Sequence, residues 1–172
     1  MMIFDHIGVV AADVGEACRQ LGATIGAQET TARFDDETLG VSVQFMRDQS
    51  GMVYELIAPL DANSPVAKAL ASKTNLLNQV AYRTSSLESA GKSLRKSGSL
   101  PLGPAKPALA FGGAFVQFFY CPLGFVIELI EAPQFQHAFA DFDRSGTVSP
   151  QSRDGDLSSK HKAGLSGSAQ PA

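Results

Sequence analysis

The sequence predicts an α+β fold in which two tandem β-α-β-β-β modules form one curved mixed sheet around a trough. Three observations predict it. The chain has 172 residues, 44% of them hydrophobic and 18% charged, an ordinary composition for one folded unit of this length. A shift of 73 residues lays Val41-Ser-Val-Gln-Phe-Met-Arg-Asp-Gln-Ser-Gly-Met-Val-Tyr-Glu-Leu-Ile57 on Ala114-Phe-Val-Gln-Phe-Phe-Tyr-Cys-Pro-Leu-Gly-Phe-Val-Ile-Glu-Leu-Ile130, with eight of 17 positions identical. Unrelated segments share about one such position, so the chain is an internal duplication. Each half also runs through the same succession of short β-branched stretches, with one helical stretch after the first of them.

In the first half, residues 3–10 form an apolar, β-branched strand pattern, and Asp13 caps a helix over 14–21 that Gly22 is placed to end. The runs 41–46 and 52–57 pair around Arg47-Asp-Gln-Ser-Gly51, which has hairpin-turn chemistry. In the second half the counterparts are 79–84, a helix over 86–96 stopped by Gly98, and the strands 114–120 and 125–130 around Cys121-Pro-Leu-Gly124. Segments 28–40 and 100–113 hold one weaker strand or a long loop each. Between the halves, Pro65 stands at the first position of a short helix reaching Ser72. The expected organisation is therefore a first module over 1–60, a connector helix over 61–76 and a second module over 77–133. The remaining 134–172 are expected to be a disordered tail, since 13 of the 33 residues in 140–172 are Ser, Gly or Pro.

Charge and cysteine usage exclude several function classes. With 14 Lys+Arg against 17 Asp+Glu and a formal net charge of −3, no basic stripe is available for a phosphate backbone, and nucleic acid is excluded as a partner. No apolar run approaches the ~20 residues of a membrane span, and the first residues lack the pattern of a signal peptide. Cys18 and Cys121 are far apart and belong to neither a CxxC nor a Cys/His cluster, which points to a reducing, cytoplasmic setting. Cys18 belongs to a helix face and Cys121 to a turn.

Strand alternation selects the candidate site residues. His6 shares a face with Gly8 and Val10, and Glu55 shares one with Val53 and Ile57. Glu55 and Glu128 sit in the apolar runs Met-Val-Tyr-Glu-Leu-Ile and Phe-Val-Ile-Glu-Leu-Ile, where an unpaired carboxylate costs several kcal/mol unless protonated, paired or metal-bound. His6 to Glu55 and Gln79 to Glu128 both span 49 residues, so the repeat relates His6 to Gln79 and Glu55 to Glu128. Converging near a pseudo-two-fold axis, one imidazole, two carboxylates and one amide oxygen make an N,O shell for one divalent ion, Ni²⁺, Co²⁺, Mn²⁺ or Zn²⁺. The competing readings are exposed edge-strand glutamates that discourage aggregation and a Gln79 amide bonded to backbone. Opposite parity from Val43 and Phe45 assigns Gln44 and Gln117 to solvated or interface positions, while His137 and His161 fall at the core's edge or in the tail, without chemistry.

Asp5-His-Ile-Gly-Val-Val10 and Tyr54-Glu-Leu-Ile-Ala-Pro-Leu60, within duplicated β-α-β-β-β units, resemble the vicinal oxygen chelate superfamily of glyoxalases, bleomycin-resistance proteins and dioxygenases. The likeness covers residues 3–133. Gly40-Val-Ser-Val-Gln-Phe45 and Ser64-Pro-Val-Ala-Lys-Ala-Leu70 are most similar to methylmalonyl-CoA epimerases. The resemblance implies His6, Glu55 and Glu128 as metal ligands, and Gln79 departs from it, since epimerases and many bacterial glyoxalases have His there. It further implies that two oxygens of a small acid or acyl thioester bind the ion while a carboxylate moves a proton beside a carbonyl. Glu128 and Glu55 are the expected catalytic groups, with Glu37 and Glu29 as loop alternatives. An isomerase or epimerase is the expected function; a glyoxalase-type lyase and a metal-free, resistance-type binding module are the rivals. Homodimers are common among similar proteins, which leaves a homodimer open here.

Overall fold

A computed structural model describes residues 1–74 and 76–142. The first module comprises β1 (Met2–Val10), α1 (Val14–Ile25), β2 (Glu29–Thr30), β3 (Phe34–Asp36), β4 (Val41–Arg47) and β5 (Val53–Pro59). After the connector helix α2 (Ala67–Ser72), the second comprises β6 (Leu77–Thr84), α3 (Leu87–Lys96), β7 (Leu100–Pro101), β8 (Lys106–Pro107), β9 (Phe115–Tyr120) and β10 (Val126–Ile130). A 3₁₀ turn, Leu109–Phe111, leads into β9, and a final strand, β11, spans Ala140–Asp141.

Among the described residues these strands form one mixed sheet in the order β11-β2-β4-β5-β1-β6-β10-β9-β7, with β3 also on β4 and β8 also on β9. The duplication is visible in the pairing. β1 runs parallel to β5 and β6 parallel to β10, while the first strands of the two modules meet antiparallel at the centre. The sheet buries both faces. On the outer face α1 packs Val14 and Cys18 on Met46 and Leu56, and α3 packs Leu87, Ala90 and Leu94 on Phe119 and Leu129. On the inner face Val43, Phe45, Ile57, Ala81, Phe111, Val116 and Ile130 form the trough-side core.

The local signals explain most boundaries. The Asp13 side chain accepts from the Glu16 N–H at 2.7 Å, and Ser86 accepts from Ser89 N–H at 3.2 Å, which satisfies free donors at the two helix starts. The first helix does not end at Gly22 as expected. It runs on to Ile25 and stops at Gly26, whose φ of 72° gives the left-handed cap, while Gly22 keeps a negative φ on the buried face beside the ring of Phe142. The connector helix likewise begins at Ala67, after Pro65. Gln44 is buried instead of solvated, and its amide donates to Thr30 Oγ1 and the Thr31 carbonyl, both at 2.9 Å. Gln117 is half-buried and donates to the Gly103 carbonyl at 2.9 Å.

The chain from 134 to 142 is the largest departure from expectation, because it is ordered. Arg83 donates to the Phe135 carbonyl at 2.7 Å, β11 pairs antiparallel with β2, and the Phe142 N–H donates to the Gln28 carbonyl at 2.6 Å. Phe135, His137 and Phe139 alternate inward while Gln134, Gln136 and Ala138 face out, the period-2 pattern of an extended half-buried segment. Averaging composition over the whole tail hides that pattern. The rest of the expected tail, including His161, lies outside the described residues. Among those described, no helix is long and apolar enough to cross a membrane.

Phe119 is fully buried between the sheet and α3, with its ring 3.0 Å from where a Cβ on Gly91 would stand. Phe119→Ala is expected to destabilise the protein by about 3–5 kcal/mol in urea unfolding. A loss under about 1 kcal/mol would show that this helix is not packed as described.

Candidate metal centre

The centre is assembled where the two modules meet. Across β1 and β6, Phe4 pairs with Tyr82 and Ile7 with Val80, so two residues, Asp5 and His6, oppose the single residue Ala81. This bulge turns both side chains into the buried interior, which strict alternation forbids. Glu55 lies beside Gly8 and Glu128 beside Ala81. Gly8 and Ala81 are repeat equivalents, and the bare face of Gly8 leaves room for the Gln79 side chain.

All four expected residues converge and are buried, with His6 fully enclosed. His6 Nε2 lies 3.1 Å from Glu55 Oε2 and 3.3 Å from Glu128 Oε2. The Gln79 amide donates to the same two oxygens at 2.9 and 2.8 Å. Neither the edge-strand reading of the glutamates nor the backbone-bonded reading of Gln79 fits these contacts. On the other side of the ring, His6 Nδ1–H donates to Asp5 Oδ1 at 2.8 Å.

The electrostatics follow from burial of like charges. Burial raises the Glu128 carboxyl, hydrogen bonding to His6 pulls it back, and the nearby Glu55 charge adds to the rise, leaving it at about 7. Burial disfavours the His6 imidazolium, but the Glu55 charge and the hydrogen bonds to Asp5, Glu128 and Glu55 outweigh it and hold His6 well above its usual range. Burial alone would raise Asp5 as well; hydrogen bonds from His137 and His6 reverse that and hold it well below the ordinary carboxylate range.

This donor set fits a divalent ion. His6 Nε2 and one oxygen each of Glu55 and Glu128 lie within 4.8 Å of one another. Bonds of ~2.1 Å set neighbouring donors ~3.0 Å apart around an octahedral ion and ~3.4 Å apart around a tetrahedral one, bracketing the observed 3.1 and 3.3 Å. With Nδ1–H directed at Asp5, Nε2 is the nitrogen free to ligate. Gln79 presents Nε2 to the carboxylates while its Oε1 accepts from Asn78 at 3.3 Å. A half-turn of both amides keeps that bond and turns Oε1 inward.

Above Glu55, Gln79 and Glu128 opens a cavity of about 420 Å³. Its walls are mainly apolar, from Val41, Val43, Ile57, Val66, Phe111 and Phe118, with Asp36, Asn78 and Lys106 as further polar groups. Asp36 accepts the Leu39 and Leu109 N–H groups at 3.0 and 2.7 Å, a structural role. The loop alternatives are not in the trough: Glu37 is exposed, and Glu29 pairs with Arg47 at 2.8 Å.

Three residues of the centre escape the sequence reading. Asp5 is hidden by the bulge, Arg83 has an unremarked position on β6, and His137 stands far along the chain; its only signal is the Phe135-Gln-His-Ala-Phe139 alternation. Arg83 Nε lies 2.8 Å from Asp5 Oδ2, and His137 Nε2 donates to Asp5 Oδ1 at 2.8 Å.

The chain belongs to the glyoxalase/bleomycin resistance protein/dioxygenase superfamily, whose family model matches residues 5–118. Similar solved structures include a hypothetical protein from Bacillus halodurans, at 20% identity and a TM-score of 0.67, covering 80% of this chain and 99% of that one. Methylmalonyl-CoA epimerase from Mycobacterium tuberculosis is 26% identical with a TM-score of 0.62, covering 74% of this chain and 85% of that one. The Streptomyces coelicolor methylmalonyl-CoA epimerase in complex with 2-nitronate-propionyl-CoA is 22% identical with a TM-score of 0.63, over 76% and 97%. Curated proteins include no significant match.

Two outcomes are expected. A Cβ on Gly8 would stand 2.5 Å from Gln79 Cγ and 2.9 Å from its Cδ, so Gly8→Ala displaces the amide that braces both acids. Its unfolding midpoint is expected to fall by more than that of Gly103→Ala, where a Cβ meets open space. In chelator-treated protein, Glu128 takes its proton near pH 7 when folded and near 4.5 when unfolded. The folded chain therefore binds more protons between these values, and stability falls as pH rises from 4.5 to 7. The His6 contribution, present below 6.5, is lost in the same direction. Urea unfolding across this range should show the decline, and Glu128→Gln should flatten it.

Proposed function

We propose that the protein is a metal-dependent enzyme that moves a proton next to the carbonyl of a small acid or acyl thioester, an isomerase- or epimerase-type reaction. The observation carrying this reading is the convergence of Glu55 Oε2 and Glu128 Oε2, whose residues line a mainly apolar cavity, on Nε2 of the enclosed His6. His6, Glu55 and Glu128 would hold a single divalent ion, Ni²⁺, Co²⁺, Mn²⁺ or Zn²⁺, with Gln79 as a fourth contact. When bound, the ion supplies Lewis-acid stabilisation of negative charge on the substrate's carbonyl oxygen. Glu128 accepts the α-proton and returns it, acting as general base and then general acid. The apolar walls keep water from the carbanion-like centre. The similarity to methylmalonyl-CoA epimerases supports an acyl thioester as the substrate class.

One observation favours a second reading. Among the described residues, the acids lining the cavity are Glu55, Glu128 and Asp36, and Asp36 already accepts two backbone N–H groups. Inversion at carbon is served by a base on each face, whereas Glu55 and Glu128 meet at one place. A single carboxylate that removes and returns the proton suits a glyoxalase-type lyase equally well.

Elemental analysis and solvent exchange test the proposal. A divalent ion is expected in protein purified without chelator, with loss in Glu128→Gln. Deuterium from D₂O is expected at the α-carbon of an acyl thioester or a 2-oxo acid, slowed ~10²–10⁴-fold in Glu128→Gln. Failure to take up Ni²⁺, Co²⁺, Mn²⁺ or Zn²⁺ would leave a metal-free binding module instead.

A further inference from the structure

We infer that His137, on the C-terminal segment, is a positioning residue of the metal centre: through Asp5 it holds His6 with Nε2 aimed at the ion. The inference rests on the metal-centre reading above. Asp5 Oδ1 accepts from both His6 Nδ1 and His137 Nε2 at 2.8 Å, while Arg83 Nε lies 2.8 Å from Oδ2. The Asp5 and His137 side chains are 3% and 8% exposed, so these contacts form in a low-dielectric interior where they are strong. A carboxylate behind a ligating imidazole fixes its tautomer and its direction. Here that carboxylate is itself fixed by a residue 132 positions away.

The segment carrying His137 is tethered at both ends. Arg83 donates to the Phe135 carbonyl at 2.7 Å, and beyond Phe139 the chain joins the sheet edge as β11. The same guanidinium thus meets Asp5 and the start of the segment, tying the two together. His137 also packs its ring 4.3 Å from that of Phe45 and 5.1 Å from Phe135. Its position is therefore set by packing as well as by its hydrogen bond, which leaves Asp5 one favoured placement. Alternation along β1 would face Asp5 away from His6; the bulge at these residues allows the pair, and His137 with Arg83 holds it.

Cobalt binding by the full chain separates a positioning role from a packing role. His137→Phe keeps an aromatic ring among Phe45, Phe111, Phe135 and Phe139 but removes the N–H. It is expected to weaken Co²⁺ affinity about 10-fold by chelator competition and to shift the visible absorption of the bound cobalt. His137→Gln, which keeps an N–H at a similar reach, should restore both. Asp5→Asn should lose about 10- to 100-fold, and adding His137→Phe to it should cost little more, because the two act through one contact. If His137→Phe unfolds the chain, His137→Asn, too short to reach Asp5, replaces it. Wild-type affinity and an unchanged cobalt spectrum in a folded His137→Phe would overturn the inference while leaving the metal centre standing. A wild-type chain that binds no cobalt would overturn the centre itself, and the positioning role with it.

Discussion

Two carboxylates enclosed in an apolar trough repel each other and lose their hydration, and the rest of this protein is organised around that conflict. Glu55 and Glu128 are 5% and 2% exposed, an arrangement that destabilises the fold by several kcal/mol unless positive charge or donors meet it. The fold brings one imidazole and one amide to the same two oxygens. A divalent cation satisfies the site more fully than a proton can, because it neutralises both acids and draws on the lone pair of His6. The geometry that makes the metal-free centre tense is thus the geometry that suits it to an ion.

The duplication explains how such a centre arises without a dedicated domain. Each module places a polar residue on its first strand and a glutamate on its last, and the antiparallel meeting of β1 and β6 brings the two sets together. The same repeat builds the outer layer, where Met46 and Phe119, then Leu56 and Leu129, are equivalent residues under α1 and α3. Symmetry continues behind the ligands. Asp5 and Asn78 are repeat equivalents, one accepting from His6 and the other donating to Gln79. It breaks where the chemistry differs: imidazole backed by carboxylate in one module, amide backed by amide in the other. His137 and Arg83 converge on the carboxylate side, the side that carries the charge to be held.

Much of this was legible before any coordinates, for identifiable reasons. A 73-residue repeat survives in sequence because both halves pack the same strands against the same kind of helix, and it singled out His6, Glu55, Gln79 and Glu128 together. Local chemistry likewise revealed the Asp13 cap and the β4–β5 hairpin. The failures share one cause, a local rule overridden by a distant contact. Gly22 keeps a helical backbone on the buried face beside Phe142, Gln44 is buried because Thr30 and Thr31 accept its amide, and Asp5 turns inward at a bulge.

The residue pattern alone determined the duplicated architecture and singled out the four candidate ligands His6, Glu55, Gln79 and Glu128, since both depend on periodicities of two and 73 that are written along the chain. Tertiary structure alone decided which way Asp5 faces, that residues 134–142 join the fold, and that His137 reaches the centre. Those depend on a strand bulge and on side chains meeting across 132 positions, and neither leaves a periodic trace in the order of the amino acids.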